Sequence, residues 1–301
     1  MGAKLMEGKQ VADHIRKDLM DRIAELKRQG VTPGLAVIIV GDDPASASYV
    51  RMKGKACQDL GLYSKTVRLP ADLPEKELLQ MIGELNANPL VNGILVQMPV
   101  PKQIDVSNVV QAIDPDKDVD AFHPVNVGKM LIGEGDGFLP ATPHGIQVML
   151  SHYGYATAGK HVVIVGRSNI VGKPMAAILM QKGKDADATV TLCHSRTADL
   201  KSLTSQADIL ISAIGKAGFI TADMVREGAI VIDVGSNRVE DPGSAKGYRF
   251  VGDVDFEAVK EKAAAITPVP GGVGPMTIIM LMQNTVLAAE RALERGGRPK
   301  V

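Results

Sequence analysis

Tyr49 and Lys53 stand four residues apart in the stretch Ser48-Tyr49-Val50-Arg51-Met52-Lys53. On a helix that spacing puts a phenol and an amine on one face, one turn apart. Residues 35–40 form an apolar run just before them, closed by Gly41-Asp42-Asp43-Pro44. The pattern predicts a buried strand, a turn, and a helix capped by Ser46 or Ser48. Groups just past the carboxyl end of a strand sit where α/β proteins hold their ligands. An amine partly withdrawn from water there titrates low enough to pass protons near neutral pH. The same pair also fits a solvated helix face, where it does no chemistry.

Two further groups could join it. Gln97 ends the short apolar strand predicted at 93–97, which Met98-Pro99-Val100-Pro101 stops. It could bond a neutral amine or a water without adding charge, or it could be a polar strand end. Asp120 closes the run Asp114-Pro115-Asp116-Lys117-Asp118-Val119-Asp120. By itself it reads as one solvated acid among several. The alternating aspartates are reminiscent of a calcium loop, but the required glycine and closing glutamate are absent. His14, His123, His144, His152, His161 and His194 show no metal-ligand spacing, so no metal is expected.

The elements that must position these groups alternate. Apolar positions Val11, Ile15, Leu19, Ile23 and Leu26 predict a helix over 9–29. A strand at 66–69 and a helix from Pro74 to about 86 follow the Tyr49 helix, giving an α/β order that favours a parallel sheet. Residues 114–142 carry little periodicity and are expected to be a functional loop, with a domain junction at 140–145. A second alternation has strands at 162–165, 189–193, 209–214 and 230–234, and a last helix from Pro275 to about 295.

That second half carries a dinucleotide pattern. His161-Val162-Val163-Ile164-Val165-Gly166-Arg167-Ser168-Asn169-Ile170-Val171-Gly172-Lys173-Pro174 reads strand, glycine turn, helix. A pyrophosphate would lie on the helix N-terminus. The fingerprint is incomplete, with Ser168 in place of the second glycine and a wide gap to Gly172. The next strand ends in His194-Ser195-Arg196 without the acid that holds NAD ribose hydroxyls. Ser195 and Arg196, with Arg167, suit a 2′-phosphate, so NADP is expected over NAD.

Composition narrows the classes. Lys+Arg and Asp+Glu are both 34, giving zero formal charge and no basic footprint for nucleic acid. Aromatics make up 3% of residues, too few for base-stacking platforms. Cys57 and Cys193 match no disulfide framework or metal spacing and fit a reducing cytosol. The start of the chain lacks a signal peptide's apolar core, and no apolar run is long enough to span a membrane.

Several stretches together resemble the bifunctional methylenetetrahydrofolate dehydrogenase/methenyltetrahydrofolate cyclohydrolase family, in order and over essentially the whole chain. They are Tyr49-x-x-x-Lys53, Gly93–Pro99, Asp116–Asp120, Pro140-Ala141-Thr142-Pro143-His144-Gly145, the Gly166 turn, and Pro270-Gly271-Gly272-Val273-Gly274-Pro275, the most specific of them. Short-chain dehydrogenases also carry Tyr-x-x-x-Lys, but after the glycine turn; here the pair precedes it. The resemblance implies an α/β protein of two domains with an active-site cleft between them. A folate domain would cover 1–142, completed by the last helix from about 275. A Rossmann-type NADP domain would cover 143–274. It implies Lys53 as the catalytic lysine, Tyr49 orienting the folate, Gln97 supporting the lysine and Asp120 holding the pterin ring. Further substrate contacts would come from Val96, Met98 and the wall Pro270, Gly271, Gly272, Val273 and Gly274. Cofactor contacts would come from Gly166, Arg167, Ser168, Gly172, Ser195, Arg196 and Ser236. Ala141 departs from the cysteine many relatives have. The resemblance also implies a cytoplasmic homodimer acting in one-carbon metabolism and purine biosynthesis. A dehydrogenase without hydrolysis, and a non-catalytic NADP- or folate-binding protein, are the alternatives; substitution at Lys53, Gln97 or Asp120 would have favoured them.

Overall fold

The computed structural model describes residues 2–244 and 247–296. In chain order the first half forms β1 (Lys4–Leu5), α1 (Gly8–Arg28), β2 (Gly34–Val40), α2 (Pro44–Leu60), β3 (Tyr63–Leu69), α3 (Glu75–Ala87), β4 (Gly93–Val96), α4 (Val106–Ala112) and α5 (Pro124–Ile132). The second half forms α6 (Ala141–His152), β5 (His161–Val165), α7 (Gly172–Leu179), β6 (Thr189–Cys193), α8 (Leu200–Thr204), β7 (Ile209–Ser212), β8 (Ile230–Asp233), β9 (Asn237–Glu240), β10 (Tyr248–Val251), α9 (Phe256–Val259), β11 (Ala265–Ile266) and α10 (Val273–Glu294). The chain divides into two compact units. One takes the chain up to residue 12 and residues 142–277; the other takes residues 13–141 and the chain from 278.

The second of these holds a parallel sheet in the order β3-β2-β4. All seven residues of β2 are buried, as expected of a strand covered on both faces. Ile38, Val40, Ile94 and Val96 form one core with Leu78, Ile82 and Leu85 of α3 and Val109 of α4. Each such side chain contributes about 1.5–3 kcal/mol by leaving water. This core fixes the carboxyl ends of β2 and β4, from which α2 and Gln97 start.

The other unit holds a six-stranded parallel sheet, β1-β11-β8-β7-β5-β6. β6 pairs on one side of β5 and β7 on the other, so the winding reverses at β5. A ligand crevice opens outside the carboxyl ends of strands at such a reversal. Val163, Val165, Leu210, Val231 and Ile266 of the sheet share a core with Ile220, Val225 and Val259. β9 and β10 stand apart as an antiparallel hairpin.

Four expectations change. The helix cap is Asp43, whose side chain accepts from Ser46 N, with Pro44 in the first turn; Ser46 is buried instead. Residues 114–142 are not one loop, because Pro124 starts α5 and Gly133, in the left-handed region at φ 79, ends it. The last helix begins at Val273 rather than Pro275. The first residues pair β1 with β11, so they cluster with 142–277 rather than with the segment that follows them. Among the described residues no helix is long and apolar enough to cross a membrane.

Candidate active site

Lys53 lies on the inward stripe of its helix. Ser46, Val50, Cys57 and Leu60 are buried, and Lys53 falls between Val50 and Cys57 at the same helical period. Burial therefore lowers the Lys53 pKa from the ordinary lysine value, while the Asp120 charge raises it in part. Tyr49, one turn earlier, is 41% exposed. Cys57, deeper on the stripe, is pushed up to about 11 by burial and stays a thiol at neutral pH.

Gln97 directly follows β4, and its N–H donates to Ile38 O at 2.8 Å, prolonging the ladder with β2. Lys53 Nζ donates to Gln97 Oε1 at 2.9 Å. Gln97 Nε2 donates to Met98 O at 2.9 Å, which fixes the amide with its oxygen toward the amine. The lysine is thus oriented by a neutral acceptor that does not hold it charged.

Asp120 is delivered by a short buried segment. Ile94 N donates to Lys117 O at 2.8 Å, and Asp118 bridges Ile94 in parallel, so 117–118 runs along the free edge of β4. Asp118 is 2% exposed and accepts from His123 N at 2.8 Å and Asn126 Nδ2 at 2.9 Å, pinning the start of α5. Val119 is buried, and its carbonyl accepts from Asn284 Nδ2 of α10 at 2.8 Å. Ala121 turns in the left-handed region at φ 59, which costs a residue with a Cβ about 1–2 kcal/mol. Asp120 sits between these two fixed neighbours. Burial pushes it up to about 6; the Lys53 ammonium opposes this and the Asp118 charge adds to it. Lys53, Gln97 and Asp120 thus form one electrostatic group in which an amine and a carboxyl both titrate nearer to neutrality than they would in water. Such a group can hold, give and take protons near pH 7.

The expected dinucleotide residues lie at the carboxyl ends of β5, β6 and β8. Gly166 has φ 127, and a Cβ there would lie 2.1 Å from Ala213 O; a Cβ at Gly172 would lie 1.9 Å from Gly166 O. Both glycines are therefore demanded by backbone contact, which closes the α7 N-terminus onto the turn despite the irregular spacing. Ser168 Oγ accepts from Val171 N at 3.1 Å in the turn just before that N-terminus. Arg167, Ser168, Ser195, Arg196 and Ser236 are exposed and available to a ligand. Arg196 N donates to His194 Nδ1, so the turn that presents its side chain is held from below. These residues fit a phosphorylated dinucleotide: a helix N-terminus for the pyrophosphate and two guanidinium groups for a further phosphate. Among the described residues no group of three or more His, Cys, Asp or Glu side chains could hold a metal ion.

In the stretch 270–274, Gly272 is tightly packed by its own chain. A Cβ there would lie 2.6 Å from Pro268 O, and a Cβ on Gly8 would meet Gly272 O at 1.9 Å. Gly274 is exposed and faces open space.

His144, read in the sequence only as one of six histidines without metal-ligand spacing, lies in the first turn of α6. Its Nδ1 is buried with no hydrogen-bond partner. Burial pushes the imidazole down to about 4. The unfolded chain protonates it near pH 6.5, so between about 6.5 and 4 the unfolded state binds more protons and stability falls as pH falls. His144→Leu is expected to gain on the parent through that window, by roughly 1–3 kcal/mol at its acid end. Denaturant unfolding at each pH measures this; a stability difference that stays constant with pH would overturn it.

Residues 6–120 match the family model for the tetrahydrofolate dehydrogenase/cyclohydrolase catalytic domain, and residues 140–293 match that for its NAD(P)-binding domain. A bifunctional protein FolD of Dehalococcoides mccartyi is 58% identical over 294 residues, 97% of this chain and 98% of its own. Its counterpart in Chlorobium luteolum is 55% identical over 290 residues, 96% and 98% of the two chains. The solved bifunctional enzyme FolD of Campylobacter jejuni, a methylenetetrahydrofolate dehydrogenase/cyclohydrolase, matches with a TM-score of 0.90 at 46% identity over 96% of this chain and 99% of its own. The Trypanosoma brucei methylenetetrahydrofolate dehydrogenase-cyclohydrolase, solved with NADP cofactor and inhibitor, matches with a TM-score of 0.92 at 39% identity over 97% and 99%. With both domain models in order and these identities along nearly all its length, the chain belongs to the tetrahydrofolate dehydrogenase/cyclohydrolase family.

Proposed function

We propose that this chain oxidises 5,10-methylenetetrahydrofolate to 5,10-methenyltetrahydrofolate with NADP and then hydrolyses the methenyl cation to 10-formyltetrahydrofolate. The observation that carries this reading is the Lys53 Nζ to Gln97 Oε1 bond of 2.9 Å, made by an amine whose pKa burial has lowered. Oxidation alone needs no such group, since bound NADP accepts the hydride and the protein only orients the reactants. Hydrolysis does need it: a water must lose a proton as it attacks, and as the C–N bond breaks a ring nitrogen must gain one while the adduct's hydroxyl, becoming the formyl C=O, releases its own proton to solvent. Lys53, when neutral, takes the first proton at Nζ and returns it in the second step. Gln97 Oε1 accepts from that amine and keeps it aimed. Asp120 accepts from the pterin amino and ring N–H groups, and Tyr49 sets the ring plane.

Val96, Met98 and residues 270–274 are assigned further substrate contacts. Gly166, Arg167, Ser168, Gly172, Ser195, Arg196 and Ser236 are assigned to NADP. Relatives named as bifunctional over nearly their whole length favour this reading over a dehydrogenase alone. The product is an activated one-carbon unit, and we assign it to purine biosynthesis in a reducing cytoplasm. The enzyme is assigned as a homodimer; light scattering that returned the mass of one chain would remove that assignment.

A two-wavelength assay with methylenetetrahydrofolate and NADP tests the activity. NADPH formed without a build-up of methenyl product is expected. Accumulating methenyl product would leave only a dehydrogenase. A clear preference for NAD would overturn the assignment of Arg167 and Arg196 to a 2′-phosphate.

A further inference from the structure

We propose that Asp253, far from the folate-directed residues in sequence, is a positioning residue for the dinucleotide: its carboxylate holds the turn after β7 against the cofactor's glycine turn. The proposal rests on the reading that NADP binds at the carboxyl ends of this sheet. Asp253 is fully buried just beyond β10. Its Oδ2 accepts from Ile214 N at 2.7 Å and Gly215 N at 3.1 Å, with Ser212 Oγ at 3.5 Å. Its Oδ1 accepts from Lys216 N at 2.9 Å and Asn237 Nδ2 at 2.9 Å. The backbone N–H groups of 214, 215 and 216 thus converge on one point, as in the nests that bind anions. Here the anion is the protein's own side chain.

The turn so held is beside the cofactor residues. Ala213 N donates to Val165 O at 2.8 Å, and Ala213 O is the atom that forbids a Cβ on Gly166. A shift of 214–216 would therefore move the floor on which the Gly166 turn rests. Asp253 is itself anchored. Its N–H donates to Asp233 Oδ1 at 2.9 Å and Val254 N donates to Asp233 Oδ2 at 3.0 Å. Asp233 N in turn donates to Thr267 Oγ1 at 2.7 Å. A Cβ on Gly252 would lie 1.8 Å from Asp233 Oδ2, so Gly252 must be glycine for the two aspartates to approach. Burial pushes Asp233 up to about 6 against the N–H groups that hold it down.

Only a carboxylate accepts all of these donors. Asp253→Asn keeps the shape but turns a donor toward donors on one side. Its expected effect is a KM for NADP about 10- to 100-fold higher, the scale of a misplaced binding group. Hydrolysis of methenyltetrahydrofolate supplied without NADP should stay at the parent's rate, and so should its KM. A folded Asp253→Asn with the parent's KM for NADP, or one in which both KM values rise together, would overturn the positioning role. If Asp253→Asn does not fold, Asn237→Ala decides, since it removes a single donor. A severalfold rise in the NADP KM with hydrolysis intact supports the role; an unchanged KM overturns it. A parent enzyme that gives no signal with NADP or NAD overturns the functional reading and this assignment with it, an outcome distinct from a working parent and an indifferent variant.

Discussion

Lys53→Met is expected to abolish hydrolysis of methenyltetrahydrofolate, by about 10²- to 10⁴-fold, the usual contribution of a positioned acid-base group. The fold should survive. Methionine keeps the unbranched stem that runs between Val50 and Cys57, and it removes an amine whose burial costs energy. Thermal unfolding at or above the parent's midpoint is therefore part of the expectation. Gln97 loses the donor to its Oε1 but keeps its own bond to Met98 O, so the strand end is not disturbed. In the two-wavelength assay the variant should make NADPH while methenyl product accumulates. Full hydrolysis by a folded Lys53→Met would remove the lysine from the mechanism.

Asp120→Asn is expected to act in two ways at once. The charge that raises the Lys53 pKa disappears, so the amine titrates lower and the acid limb of the hydrolysis profile moves to lower pH. The pterin also loses a charged acceptor for two of its N–H groups. Hydrogen bonds to a charged partner contribute roughly 1.5–3 kcal/mol each, so kcat/KM for the folate substrates should fall about 10²-fold, mostly through KM. The KM for NADP should not change. The measurement is a pair of pH–rate profiles, parent and variant, for each folate substrate. An unshifted acid limb together with an unchanged folate KM would show that Asp120 neither tunes the lysine nor holds the ring.

The difference between Asp118 and Asp120 shows where the sequence stops speaking. Both belong to one acidic run, and nothing in their spacing assigns them different work. The structure buries Asp118 under donors from His123 and Asn126, where it fixes the chain, and leaves Asp120 within reach of the Lys53 charge. The helix α5 was legible in principle, since Pro124 and Gly133 are ordinary start and stop signals. Its nine residues hold too few turns for the apolar period to stand out. β1 and β11 left no signal at all, being two residues each and 261 apart in register. Asp233 and Asp253 carry no signal in the sequence, because the donors that define them come from separate segments at 214–216, 235–237 and 253–254.

By itself the sequence determined what depends on local chemistry. The buried run of β2, the helix over Tyr49 and Lys53 with its stop at Gly61, and the strand-turn-helix at Gly166 all follow from side chains a few residues apart. Lys53 keeps step with Val50, Cys57 and Leu60, but by spacing alone the same face could have been a solvated one. Only the tertiary structure decided what that burial does. Gln97 lies 44 residues from Lys53, and Asp120 is brought within reach of the amine's charge by an edge segment that no period predicts. A pKa is moved by desolvation and by charges within a few ångströms, and those neighbours exist only once distant segments have packed.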